Sequence, residues 1–197
     1  MPVNAARRFS QAISEGDGIS LIALVERAGD EGLVETEAAD AVMVSPADAG
    51  LVAAVRARTE LPLVAEWPGN PPADLDGVDA YLLTVDSERE WLERVHAELH
   101  GAIELAFHIE DEEHLATALE DFDPEIFVLG ASDKAGEEAL EGVLDLLPDV
   151  PAGKLAIADL SDVSPDELGA LERAGFDGVI VDPRRLAELA PVEPPEV

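Results

Sequence analysis

Four side chains capable of acid–base chemistry stand where short apolar runs end: Glu26, Glu66, His108 and Asp159. Each run has the length of a buried strand, and Glu110 lies two residues beyond His108. Residues of one parity at the ends of parallel strands face a common space. Carboxylates gathered there repel, so some stay protonated, or a cation sits among them, or the space is wide and wet. Glu66, His108 and Asp159 also have the ligand types of a metal site, although nothing in the sequence fixes their distances. No Ser, His and Asp set suggests nucleophilic catalysis.

A second group, Ser161, Asp182, Arg184 and Arg185, follows the last two apolar runs. Asp182 precedes Pro183, an arrangement that makes the Asp a good N-cap. Its carboxylate would then occupy backbone donors that an anion would otherwise use, and we read the seat as filled. Arg184 and Arg185 offer the opposite reading, since either could clamp a phosphate through two hydrogen bonds; otherwise they form an exposed first turn. His96 and His100 share a helix face at metal-like spacing and are read as surface residues. Trp67 fits a lid over a small ligand or a place in the core equally well.

These residues are positioned by a regular alternation of elements. The stretch Lys154 to Leu186 is the clearest. An apolar run, Leu155 to Ala158, ends on Asp159; Ser164-Pro165-Asp166-Glu167 carries a Ser cap, Pro at the first helical position and a Glu three residues after the cap. Leu168 and Leu171 share one helical face, Gly175 closes the helix, and Val179 to Val181 form the next strand. Connections this short between strands and helices require parallel strands. Six more strands precede these two: 19–25, 41–44, 61–65, 80–85, 103–109 and 126–129. Helices fall at 5–14, after Asp48 to Arg58, 86–99, 112–119 and 136–147. Between the first two strands only a reduced helix fits, and the prolines of 68–72 mark a loop.

The even strands are each entered from an acid-bearing turn, at Asp40, Asp79, Asp123 and Asp177, whereas the odd strands finish near an acid. Such a two-unit rhythm is what a (β/α)8 barrel leaves in a sequence, because alternate strands fill alternate interior layers. A doubly wound open sheet would show a glycine-rich phosphate loop after the first strand, and none is present. The expectation is one compact α/β domain over 1–197, a TIM barrel with an N-terminal helix within 1–18 and a loose tail at 190–197.

Composition narrows the partners. Twelve Lys plus Arg against 44 Asp plus Glu give a net charge of −32. Neither nucleic acid nor an anionic membrane suits such a surface, and a phosphorylated substrate is opposed at long range unless salt screens the field. A small molecule is the partner expected, and no oligomeric state is indicated. The acidic, Lys-poor balance is of halophilic type, suited to a salt-rich cytoplasm, and is also found in acidic, Arg-preferring proteomes. Cysteine is absent, so neither disulfides nor thiol chemistry enter. Without a signal peptide or long apolar run, a cytoplasmic location is the default expectation.

The frame of Lys154 to Leu186 resembles the last two units of indole-3-glycerol-phosphate synthase, and the likeness extends over roughly 19–189. That family closes an indole ring with loss of carbon dioxide and water and without a cofactor, so the resemblance implies a carbon–carbon lyase of tryptophan biosynthesis, with no cofactor. The functional letters diverge. The family's first-strand carboxylate and lysine positions read Leu24 and Glu26. Its general-acid lysine falls on Glu66 of LPLVAEWP, its fifth-strand glutamate on His108 of FHIEDEEHL, and its sixth-strand asparagine near Gly130. Its seventh-strand glutamate becomes the shorter Asp159. The Ser-Gly of its phosphate seat reads Leu160-Ser161, and its last glycine reads Asp182. No lysine remains to protonate a leaving hydroxyl. The expectation is a divergent homologue without ring closure, binding a small ligand or serving an unassigned role. A working synthase with displaced residues and a metal-dependent enzyme with an acidic mouth are the alternatives.

Overall fold

The computed structural model describes residues 8–16, 18–34, 38–67, 77–85, 89–131, 136–160 and 162–190. Among these, eight parallel strands close into a barrel in sequence order. They are β1 (Ser20–Val25), β2 (Ala41–Val44), β3 (Leu63–Glu66), β4 (Ala80–Thr84), β5 (Glu104–Ile109), β6 (Ile126–Leu129), β7 (Leu155–Asp159) and β8 (Gly178–Val181). The helices are α1 (Arg8–Ser14), α2 (Ala49–Arg56), α3 (Arg89–Leu99), α4 (Glu112–Asp121), α5 (Glu137–Leu146), α6 (Pro165–Ala174) and α7 (Leu186–Leu189).

The chain closes because β1 pairs with β8, Ile22 lying beside Ile180 and Ala23 beside Val181. The expected reduction between β1 and β2 is present: the described residues there hold a 3-10 segment, Asp30–Leu33. The expected loop at 68–72 lies outside the described residues, as do the start of the first helix, the first turn expected before α3, and the tail from 191. Among the described residues no helix is long and apolar enough to cross a membrane.

Alternation along each strand divides the core in two. Ile22, Met43, Val64, Leu82, Ala106, Val128, Ile157 and Ile180 point inward and fill the barrel. Their sequence neighbours point outward against the helices, as Phe107 and Phe127 do. Three helices begin where the sequence says they should, while the last, expected from Pro183, opens as a 3-10 turn, Pro183–Arg185, before α7. Asp48 caps α2, Asp111 caps α4, and Ser164 with Glu167 forms a complete capping box on α6. Gly175 ends α6 at φ 104°, a left-handed conformation that glycine adopts without a Cβ clash.

The N-terminal end of the barrel is closed by α1. Phe9 and Ile13 join the interior cluster, and the Glu104 carboxylate accepts the backbone N–H groups of Phe9 and Ser10 at 3.0 Å each. The Ser10 hydroxyl donates to the same carboxylate. A side chain from β5 thus satisfies helix donors that have no partner within the helix itself.

Entry acids have a structural use at three of the four even strands. Asp40 donates its N–H to the Leu21 carbonyl and accepts the Leu21 N–H on its carboxylate. Asp79 does the same to Leu63, and Asp177 to Ala156. Each acid therefore clasps both backbone groups of one residue in the preceding odd strand. Asp123 does not fit the series: Glu125 occupies the position directly before β6, and both carboxylates pair with Lys154.

Candidate functional site at the C-terminal strand ends

Barrel register decides which strand-end residues come level. Glu66 lies beside Leu82, His108 beside Thr84 and Val128, and Asp159 beside Ile180. All three are the inward residues next above the Val64, Ala106 and Ile157 layer. On β1 the corresponding inward residue is Leu24, not an acid. Glu26 lies one residue past the end of β1 and is exposed, so β1 presents an apolar side chain at this level.

His108 is the centre of the group. Its Nε2 lies 3.4 Å from an Asp159 carboxylate oxygen, and its Nδ1 lies 3.7 Å from Glu110. The side chain keeps only 13% of its surface exposed. Burial pushes the imidazole pKa down, but the hydrogen bond and charge of Asp159, with the charges of Glu110 and Glu66, outweigh it. The net direction is up, favouring imidazolium. Gly130, at the end of β6, makes room for the ring: a Cβ there would meet Nε2 at 2.5 Å. Glu66 is held separately, accepting the Ser45 hydroxyl from the end of β2. Among the described residues, no three His, Asp or Glu side chains are placed to hold a metal ion.

The exit of β8 is closed by the chain itself. The Asp182 carboxylate accepts the Arg184 N–H at 2.8 Å and caps the 3-10 turn Pro183–Arg185; Pro183 has no N–H to offer. Arg184 reaches Asp30 at 2.8 Å, and Arg185 pairs with Glu188 and Asp162. Both guanidinium groups are thus engaged by carboxylates. Ser161 lies outside the described residues.

Two further sequence readings meet the structure differently. Trp67 packs edge-on against Tyr81 at 4.6 Å, on the outer side of the sheet, which is the core placement. His100 is exposed as expected, but His96 is half-buried against Phe122 and Phe107, with ring centroids 5.2 and 6.2 Å away. Helical spacing alone does not reveal which aromatic rings a neighbouring strand and helix will bring. No motif announces the parts that Ser45 and Gly130 play beside Glu66 and His108. Both stand directly after an even strand.

Fold and site together define a (β/α)8 barrel with an acidic, histidine-centred mouth. No protein-family model matches the chain, and no curated protein matches it in sequence. Solved structures do resemble it. KGPDC from Streptococcus mutans superposes with a TM-score of 0.62 at 13% identity, covering 86% of this chain and 90% of that one. Mandelate oxidase mutants carrying a C4a-OH-FMN adduct or a monooxide FMN adduct give TM-scores of 0.59 and 0.60 at 14% identity. Both comparisons cover 84% of this chain, which spans less than two thirds of those oxidase chains. Identities this low speak for the TIM-barrel fold alone.

Proposed function

We propose that this barrel is a diverged relative of indole-3-glycerol-phosphate synthase that no longer closes the indole ring and instead binds a small ligand at its C-terminal mouth. The observation that carries this reading is the ring level with His108. It holds Leu24, Glu66, His108 and Asp159, and no lysine stands among them. Ring closure in that family needs a proton delivered to a leaving hydroxyl, and the position of the family's lysine is an acid bound to Ser45.

Asp182 supports the same reading from the other side of the mouth. Phosphate-binding barrels offer bare backbone N–H groups after the last strands, whereas here the Arg184 N–H is already taken by a carboxylate. A ligand without a phosphate, presenting donors or positive charge to Asp159, Glu110 and Glu66, suits this mouth better. His108 would contribute one exchangeable proton, oriented by Asp159.

The test is complementation of a tryptophan auxotroph that lacks the synthase. No rescue by the expressed, folded protein is expected, and rescue would restore the working-synthase alternative. A ligand screen read through the His108 imidazole resonances should find binders that shift them saturably. Binders that are uniformly phosphorylated would overturn the mouth assignment.

A further inference from the structure

Among the described residues a cavity of about 700 Å³ lies at the opposite end of the barrel. It opens beside the first residues of β5, β6 and β7 (Glu104, Ile126 and Leu155), under α1. Glu104 and His108 are four strand residues apart, roughly 13 Å, so the cavity is separate from the mouth. Its size falls in the range of roughly 300–1,000 Å³ typical of small-molecule pockets.

One wall is a run of rings. Phe107 and Phe122 stack at 5.1 Å, His96 stands edge-on to both, and His100 follows 4.9 Å beyond His96 at the open end. The polar side of α1, with Ser10, Gln11 and Ser14, also lines the cavity. Glu104, Asp123 and Glu125 also line it, Glu104 already engaged by Phe9 and Ser10 of α1, and no Lys or Arg side chain does. Lys154 offsets part of the charge of Asp123 and Glu125 from behind. Burial and the nearby His100 both push the His96 pKa down, so this ring takes up a proton less readily than an ordinary imidazole.

We propose that this cavity binds a small planar organic cation, such as an aryl amidinium or a protonated heteroaromatic amine. A flat ring would lie against the imidazoles of His96 and His100, which supply stacking, while the buried Phe107 and Phe122 pack behind them. The positive end faces the exposed carboxylates of Asp123 and Glu125, and Gln11 and Ser14 of α1 take edge hydrogen bonds. An anion of the same shape is excluded by the lining and by the field of a chain at −32.

The experiment uses the full chain with benzamidine, its neutral isostere benzamide, and benzoate. Binding is read by calorimetry and by the resonances of the four histidines. Benzamidine should bind saturably and move His96 and His100 while leaving His108 and His114 in place. Benzamide should bind about tenfold more weakly, and benzoate not at all. Ser14→Phe puts a ring into the cavity from an exposed helix position and should abolish binding; Gln11→Phe serves the same end if the first variant does not fold. His108→Gln should leave binding unchanged. Benzamidine shifts confined to His108, equal binding of benzamidine and benzamide, full binding by a folded cavity-filled variant, or no binding at millimolar concentration would each overturn the proposal.

Discussion

The Asp182 carboxylate holds the Arg184 backbone N–H at 2.8 Å while the Arg184 guanidinium turns back onto the same carboxylate at 3.1 Å. A second arm of that guanidinium reaches Asp30, which follows β1 and is buried. The knot therefore joins the first and last strands of the barrel on the mouth side, across the seam where the chain closes.

Asp182→Gly should cost only a few tenths of a kcal/mol as a cap, whereas Asp182→Ala should cost about 0.5–2 kcal/mol. The glycine variant combined with Leu160→Ser and Ser161→Gly should bind inorganic phosphate or sulfate more tightly than the parent, as measured by calorimetry in moderate salt. Equal binding by both would mean that the Asp182 carboxylate does not block an anion.

His108 predicts a pH dependence of stability. Its folded pKa lies above the ordinary 6.5 because Asp159, Glu110 and Glu66 outweigh its burial. Imidazolium is thus favoured in the fold, and the associated stability is fully present below about 6.5 and lost as pH rises through the folded pKa. The difference in unfolding free energy between parent and His108→Gln should shrink across that window. A difference that grows with pH would reverse the sign.

Gly130→Ala should leave the barrel intact but turn the His108 ring away from Asp159, since the new Cβ would lie 2.5 Å from Nε2. The cost should be about 1–3 kcal/mol, as for other overpacked sites. The His108 titration midpoint, followed by NMR, should fall as the Asp159 contact is lost. An unmoved midpoint would show that the ring has room on another side.

The clasp between Asp79 and Leu63 should be worth more than an exposed polar contact. Asp79 accepts the Leu63 N–H at 2.9 Å and also pairs with Arg56. Asp79→Ala leaves a partly buried donor without its partner and should lower stability by about 1–3 kcal/mol in urea unfolding. Asp79→Asn, which can still accept from Leu63, should cost less. Equal losses would assign the effect to the Arg56 pair instead.

At a net charge of −32, self-repulsion in the folded state should be relieved by screening. The thermal midpoint should rise through a potassium chloride series, most steeply at the low end. A flat series would show that the charge is already accommodated by its spacing.

By itself the sequence determined what short-range forces control. Strand spacing, the caps at Asp48, Ser164 and Asp182, and the glycine stop at Gly175 are all set by residues within about four positions of one another. The reduced β1–β2 connection was legible for a similar reason, since too few residues lie between Glu26 and Asp40 for a long helix. Closure of the barrel decided the rest. Which residues stand level depends on the stagger between strands far apart in sequence, and that stagger put Leu24 rather than Glu26 in the ring with Glu66, His108 and Asp159. It also brought Gly130 against the His108 ring and the Asp79 carboxylate onto Leu63. The cavity under α1 needed Phe107, Phe122 and His96 to converge from β5, the end of α4 and α3, and no local pattern of residues encodes such a meeting.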